Sequence, residues 1–165
     1  MTNQKSINSW SYRAIKGRVA ESLIEEPFRK LGYKVFHFGM EKQLPGIMEL
    51  LQSVKSETAN RIRAMPDYVI QYPKTRDVHL IEVKYGATGN FTFADIKHDF
   101  PYENEFFVVV SKKHIKCLTY QELRQGKEID SKSSNCLHKR KESDTDKEII
   151  KEFCSFAIDF FKGVK

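Results

Sequence analysis

The chain has 165 residues, with 28 basic and 22 acidic side chains, a formal charge of +6 and a pI of about 9.1. Hydrophobic residues at 40% and charged residues at 30% suit one domain with a real core and a solvated surface. No run nears the ~18 apolar residues of a membrane span, and the polar first ten residues lack the apolar stretch of a secretion signal.

Residues 1–10 read as polar and loose. From about Tyr12 to Leu31, Ile15, Val19, Ala20, Leu23, Ile24, Phe28 and Leu31 recur at helical spacing. Pro27 inside that pattern predicts a kink or a second start, and Gly32 a stop. Tyr33–Phe38 reads as a strand, and residues 46–62 as one further helix. Two strands follow, Asp67–Tyr72 and Asp77–Tyr85, joined by only Pro73–Arg76, a length suited to a hairpin. A weak helix is expected near Phe93–His98. Glu105–Ser111 reads as a buried strand, His114–Tyr120 as another, and a helix begins at Thr119 or Tyr120.

Residues 126–146 are polar and read as a flexible linker, and an amphipathic helix closes the chain over about 146–161. Cys117, Cys136 and Cys154 lie far apart and are odd in number, which fits neither a disulfide framework nor paired zinc half-sites and points to a reducing, intracellular setting, cytoplasmic or nucleoid-associated. The reading is one domain over 1–165, with its core at about 12–125. Its class is α/β, with a mixed sheet flanked by helices.

The strand Asp77–Tyr85 carries an anomaly. Val78, Leu80, Glu82 and Lys84 share one face of it, and His79, Ile81, Val83 and Tyr85 the other. An otherwise apolar strand thus places two opposite charges side by side near its end, where burial costs several kcal/mol per charge unless it is paired or bound to a metal. A hairpin register brings Asp67, at the start of the preceding strand, beside them. Two carboxylates are what Mg²⁺ takes from a protein, with water and phosphate oxygens completing the octahedron, and a lysine can orient water or stabilise charge on phosphorus. The bland alternatives are a cross-face ion pair for Glu82 and Lys84 and a turn-shaping role for Asp67 after Pro66.

Pro66-Asp67, fourteen residues, then Glu82-Val83-Lys84 resembles the signature of the PD-(D/E)XK nuclease superfamily, the restriction-endonuclease-like fold. The segment KGRVAESLIEEPFRKLGYKV is similar to the first helix and strand of Holliday-junction resolvases, with Glu21 as the matching acid. The stretch 39–62 is longer than a minimal resolvase needs.

The resemblance implies a Mg²⁺-dependent endodeoxyribonuclease, with Mn²⁺ substituting, that hydrolyses phosphodiester bonds in DNA, with branched or recombination DNA as the leading substrate. It implies Asp67, Glu82, the Val83 carbonyl and Glu21 as the metal set, and Lys84 as the catalytic lysine. Glu21 as an ordinary solvated helix residue is the competing reading. Arg13, Lys16, Arg18, Arg29 and Lys30, with Lys97 from a later segment, are candidates for DNA-backbone contacts. Cutting both strands calls for two active sites, which points toward a homodimer. The alternative function is a non-catalytic DNA-binding or assembly module that keeps the nuclease fold.

Overall fold

The computed structural model describes residues 3–39, 44, 46–96, 100–140 and 146–163, with residues 3–10 described for their backbone alone. The elements in chain order are α1 (Asn3–Lys30), β1 (Lys34–His37), α2 (Ile47–Leu50), α3 (Glu57–Arg63), β2 (Tyr68–Gln71), β3 (Val78–Tyr85), β4 (Glu105–Val110), β5 (Ile115–Thr119), α4 (Tyr120–Arg124) and α5 (Lys147–Gly163). The fold is α/β. The five strands among the described residues form one sheet in the order β1-β2-β3-β4-β5. The β3–β4 pair is parallel and the other three are antiparallel, so the sheet is mixed. No described helix is long and apolar enough to cross a membrane.

Strand periodicity divides the sheet into two faces. Ile81, Val83, Phe106, Val108, Val110 and Cys117 pack beneath α1 and α5 through Ala20, Ile24, Phe28, Ile150, Ala157 and Phe161, forming the larger core. On the opposite face Phe107, Val109 and Leu118 pack with Phe91, Tyr120, Leu123 and Ile129. This smaller core covers the β4–β5 half, and the β3–β4 crossover runs over the same side through Phe91 and Phe100.

The helix of residues 12–31 begins earlier than its apolar pattern, at Asn3. With no glycine or proline before Gly17, adding residues to an existing helix costs little. Pro27 lies inside its final turns without ending it, removing one backbone donor. Gly32, at φ 83°, closes it: its amide bonds the Arg29 carbonyl and the Tyr33 amide bonds that of Phe28, a Schellman stop.

The single helix expected over 46–62 is instead α2 and α3. Ser56 caps α3 by accepting the Ala59 amide, and Arg63 turns back to donate to the carbonyls of Leu51 and Val54, which holds the break. The helix expected near Phe93 is one 3₁₀ turn, Phe93–Asp95, while Lys97 and His98 lie outside the described residues.

Residues 126–140, expected as a flexible linker, pack onto the body. Ile129 and Leu137 are buried and Phe91 bridges to Ile129. The buried Lys116 ammonium donates to the carbonyls of Asp130 and Ser133. An ammonium satisfied by backbone oxygens holds a polar loop that too few apolar groups could hold alone.

Candidate functional site

The hairpin sets the site. Tyr68 pairs with Ile81 as the last β2–β3 pair, so Asp67 stands one step further, across from Glu82. Its main chain is held from β1, where the Phe38 amide donates to the Asp67 carbonyl at 3.0 Å. Its side chain is held from β3, where the Val83 amide donates to Oδ2 at 2.8 Å. A strand residue's amide and carbonyl leave on the same side, so the Val83 carbonyl faces this edge as well. Asp67 Oδ1 and Glu82 Oε2 accept no hydrogen bond among the described residues. Glu82 Oε1 accepts from the Lys84 ammonium. The Glu82 side chain is 14% exposed and that of Lys84 47%, so the pair reaches from sheet to solvent.

A further acid joins them that the strand pattern does not single out. Glu105, the first residue of β4, pairs in parallel register with Leu80 and therefore shares the face of Glu82 and Lys84. It is 0% exposed, and neither carboxyl oxygen has a hydrogen-bond partner among the described residues. In sequence it is only the first residue of a strand that reads as buried, and nothing local ties it to Glu82 and Lys84. The signal lies in the parallel register, which a single sequence does not display.

Glu21 approaches from α1. Its Oε2 is buried, and its charge reaches both Asp67 and Tyr68. Beside it, Glu25 pairs with Arg29 at 2.6 Å and with His37 at 3.3 Å, and accepts from the Tyr68 hydroxyl at 3.4 Å.

Burial, then the charges of Glu82 and Glu21, push the Asp67 carboxyl up to about 7 against the pull of the Val83 amide and Lys84. Burial and then Glu82 push Glu105 up to about 10, with Asp67 adding to the rise and Lys84 opposing it. Burial alone would lower Lys84, but Glu82, by charge and hydrogen bond, then Asp67 and Glu105, hold it above the ordinary lysine value. Four carboxyl groups thus act on one another here, and Lys84 is the cation acting on Asp67 and Glu105.

Such an excess of negative charge is relieved by protons or by a metal ion. Among the described residues no three His, Cys, Asp or Glu side chains form a ready-made metal cage. Mg²⁺ does not require one, since it binds through one or two carboxylates and keeps several waters. Asp67 and Glu82, each with an uncommitted oxygen, fit that demand.

Glu82 and Lys84 also line a cavity of about 110 Å³, together with Arg63, Phe91, Phe100 and Phe107. Of the basic candidates on α1, Arg13 and Arg18 are exposed and Lys16 is half-buried. Arg29 and Lys30 are in structural use, Arg29 on Glu25 and the Val35 carbonyl, Lys30 over the Phe153 ring. Lys97 lies outside the described residues.

Comparison with protein-family models, with curated proteins and with solved structures finds no match. The site is read from its own geometry.

Proposed function

We propose that this chain is a divalent-metal-dependent endonuclease of the PD-(D/E)XK type, with a restriction-endonuclease-like core, acting on phosphodiester bonds in DNA. The observation that carries this reading is the convergence of Asp67, Glu82 and Lys84 at one sheet edge, with Glu21 and Glu105 adding charge that only protons or a cation can balance. Asp67, Glu82 and the Val83 carbonyl would hold Mg²⁺ or Mn²⁺, which when bound polarises a phosphate oxygen and lowers the pKa of water.

The chain's own groups do the rest. The Val83 amide holds Asp67 by one oxygen, which leaves the other to bind a cation. Lys84, tethered by Glu82 and half exposed, would orient an attacking water or stabilise negative charge growing on the phosphate. Glu21 acts on Asp67 through its negative charge, which favours a bound cation. The basic surface, at a net charge of +6, would draw the polyanion in and make its affinity fall with salt. A branched DNA is the leading substrate, and a homodimer would supply the second active site for paired cuts.

A cleavage panel tests the reading. End-labelled four-way junction, duplex, single-stranded DNA and RNA are incubated with Mg²⁺ or Mn²⁺, beside Lys84→Ala. The expected result is metal-dependent cleavage that falls about 10²- to 10⁴-fold in Lys84→Ala, with a circular dichroism spectrum that shows the variant still folded. Cleavage no greater than that of Lys84→Ala on every substrate overturns the reading and leaves a nucleic-acid-binding module in its place.

A further inference from the structure

The cavity beside Glu82 and Lys84 has two kinds of wall. One is aromatic: Phe91 stacks on Phe107 with ring centres 5.4 Å apart, and Phe100 lies 5.6 Å from Phe107. Ile96 extends that wall, and Asp95 and Arg63 form the polar remainder. At about 110 Å³ the space is several times the ~10–15 Å³ that one water requires.

Both polar groups are fixed in advance. Asp95 closes a capping box, its Oδ2 taking the Thr92 amide at 2.8 Å and the Thr92 hydroxyl at 3.0 Å. Its Oδ1 accepts nothing among the described residues. Arg63 is clamped by three neutral acceptors, the carbonyls of Leu51 at 2.7 Å and Val54 at 2.8 Å and the Asn60 side-chain oxygen at 2.6 Å. Among the described residues no carboxylate pairs with it. A guanidinium held rigid by uncharged groups keeps its charge for an anion from outside. The clamp is itself structural, since it secures the break between α2 and α3. The clamp does not account for the charge itself: the cavity wall carries two cations and two carboxylates, with Lys84 spent on Glu82, and the Arg63 guanidinium is left without an anionic partner among the described residues.

We infer that this cavity is a subsite for one unstacked nucleotide: its base lies against Phe91 and Phe100, its edge faces Asp95, and its phosphate faces Arg63. The inference rests on the phosphodiesterase reading, because the subsite adjoins the Glu82–Lys84 pair that would face the scissile phosphate. It narrows the substrate class. A base stacked and paired within a regular duplex does not reach a pocket in a sheet face, whereas a single-stranded, bulged or junction nucleotide does. Aromatic rings accept any base face, so Asp95, an acceptor that demands a donor edge, is the residue that would discriminate among bases.

Equilibrium binding separates this from the cleavage reading. The full chain in EDTA is titrated with three fluorescein-labelled DNA probes: a single strand, a duplex with a one-nucleotide bulge, and the fully paired duplex. Single strand and bulge are expected to bind about tenfold more tightly than the paired duplex. Phe100→Leu keeps apolar volume but loses the ring face, and should abolish most of that preference while leaving duplex affinity unchanged. Because Phe100 also packs in the smaller core, Ala64→Leu serves as the second variant. Ala64 lines the same cavity, so the added side chain fills empty space without removing a core group, and the same loss is expected.

Equal affinity for all three probes, or a preference that survives Ala64→Leu, overturns the subsite. Metal-dependent cleavage without the binding preference refutes the subsite alone. The preference without cleavage refutes the endonuclease reading alone.

Discussion

On the side of the sheet covered by α1 and α5, β3 contributes Ile81 and Val83, 4% and 7% exposed, to a continuous apolar core. On the other side the same strand contributes Glu82 and Lys84, and its neighbour β4 contributes Glu105. Alternate residues of one strand therefore do opposite things. The first face gains from every apolar contact it makes. The second carries carboxyl groups whose mutual repulsion and burial oppose folding. It is tolerable because the smaller core around Phe107 and Leu123 covers only the β4–β5 half, leaving Glu82 and Lys84 beside a cavity rather than under a helix. Stability is concentrated on one face, and strain is accepted on the other where chemistry would use it.

Substitutions on the two faces should then move stability in opposite directions. Ile81→Ala removes a 4%-exposed side chain from beneath α1, which costs about 2–5 kcal/mol by lost burial and a residual cavity. Urea denaturation should show it as a lower midpoint with the same slope. Glu105→Leu, on the opposite face, replaces a fully buried carboxyl without hydrogen bonds by an apolar side chain of similar size. It should stabilise the metal-free protein by about 1–3 kcal/mol. A Glu105→Leu protein that melts lower than the parent would mean that the buried acid supports the fold, and the contrast between the faces would fail.

The first face was the more legible of the two. Period-two alternation in DVHLIEVKY assigns Ile81 and Val83 to one side and Glu82 and Lys84 to the other, and the short Pro73–Arg76 link fixes which end of the hairpin meets which, so Asp67 lands beside Glu82. Three things were out of reach for physical reasons. Glu105 is buried by a parallel pairing across a crossover, a non-local fact that no local period encodes. Arg63 reads as an ordinary basic residue at a helix end, and its clamp depends on carbonyls nine and twelve residues earlier being turned toward it. The packing of residues 126–140 rests on isolated anchors, Ile129 and Leu137, with the Lys116 ammonium satisfying carbonyls between them. Anchors that sparse leave no periodic signal.

The pH dependence of the charged face tests the contrast most sharply, through its sign. In the folded chain Asp67 is raised from 3.8 to about 7 and Glu105 from 4.5 to about 10. As pH rises past about 4 the unfolded chain releases these protons while the folded chain keeps them, so stability falls with rising pH. The contribution is fully present below the unfolded values, is lost for Asp67 by about pH 7, and declines for Glu105 up to about 10. Glu122 runs the other way. Burial alone would raise it, but hydrogen bonds from Thr119, Arg140 and Lys127 hold it down to about 2, so its contribution is lost only below about 4.5. In EDTA the melting temperature should therefore drop between pH 5 and pH 8, by roughly ten degrees or more. Asp67→Asn, uncharged throughout, should flatten the part of that decline below pH 7. A cation that binds the ionised carboxylates replaces the missing protons, so saturating Mg²⁺ should raise the melting temperature more at pH 8 than at pH 5. A melting temperature that rises from pH 5 to pH 8 in EDTA would show that the carboxyl groups at this edge are not in conflict, and that nothing there calls for a cation.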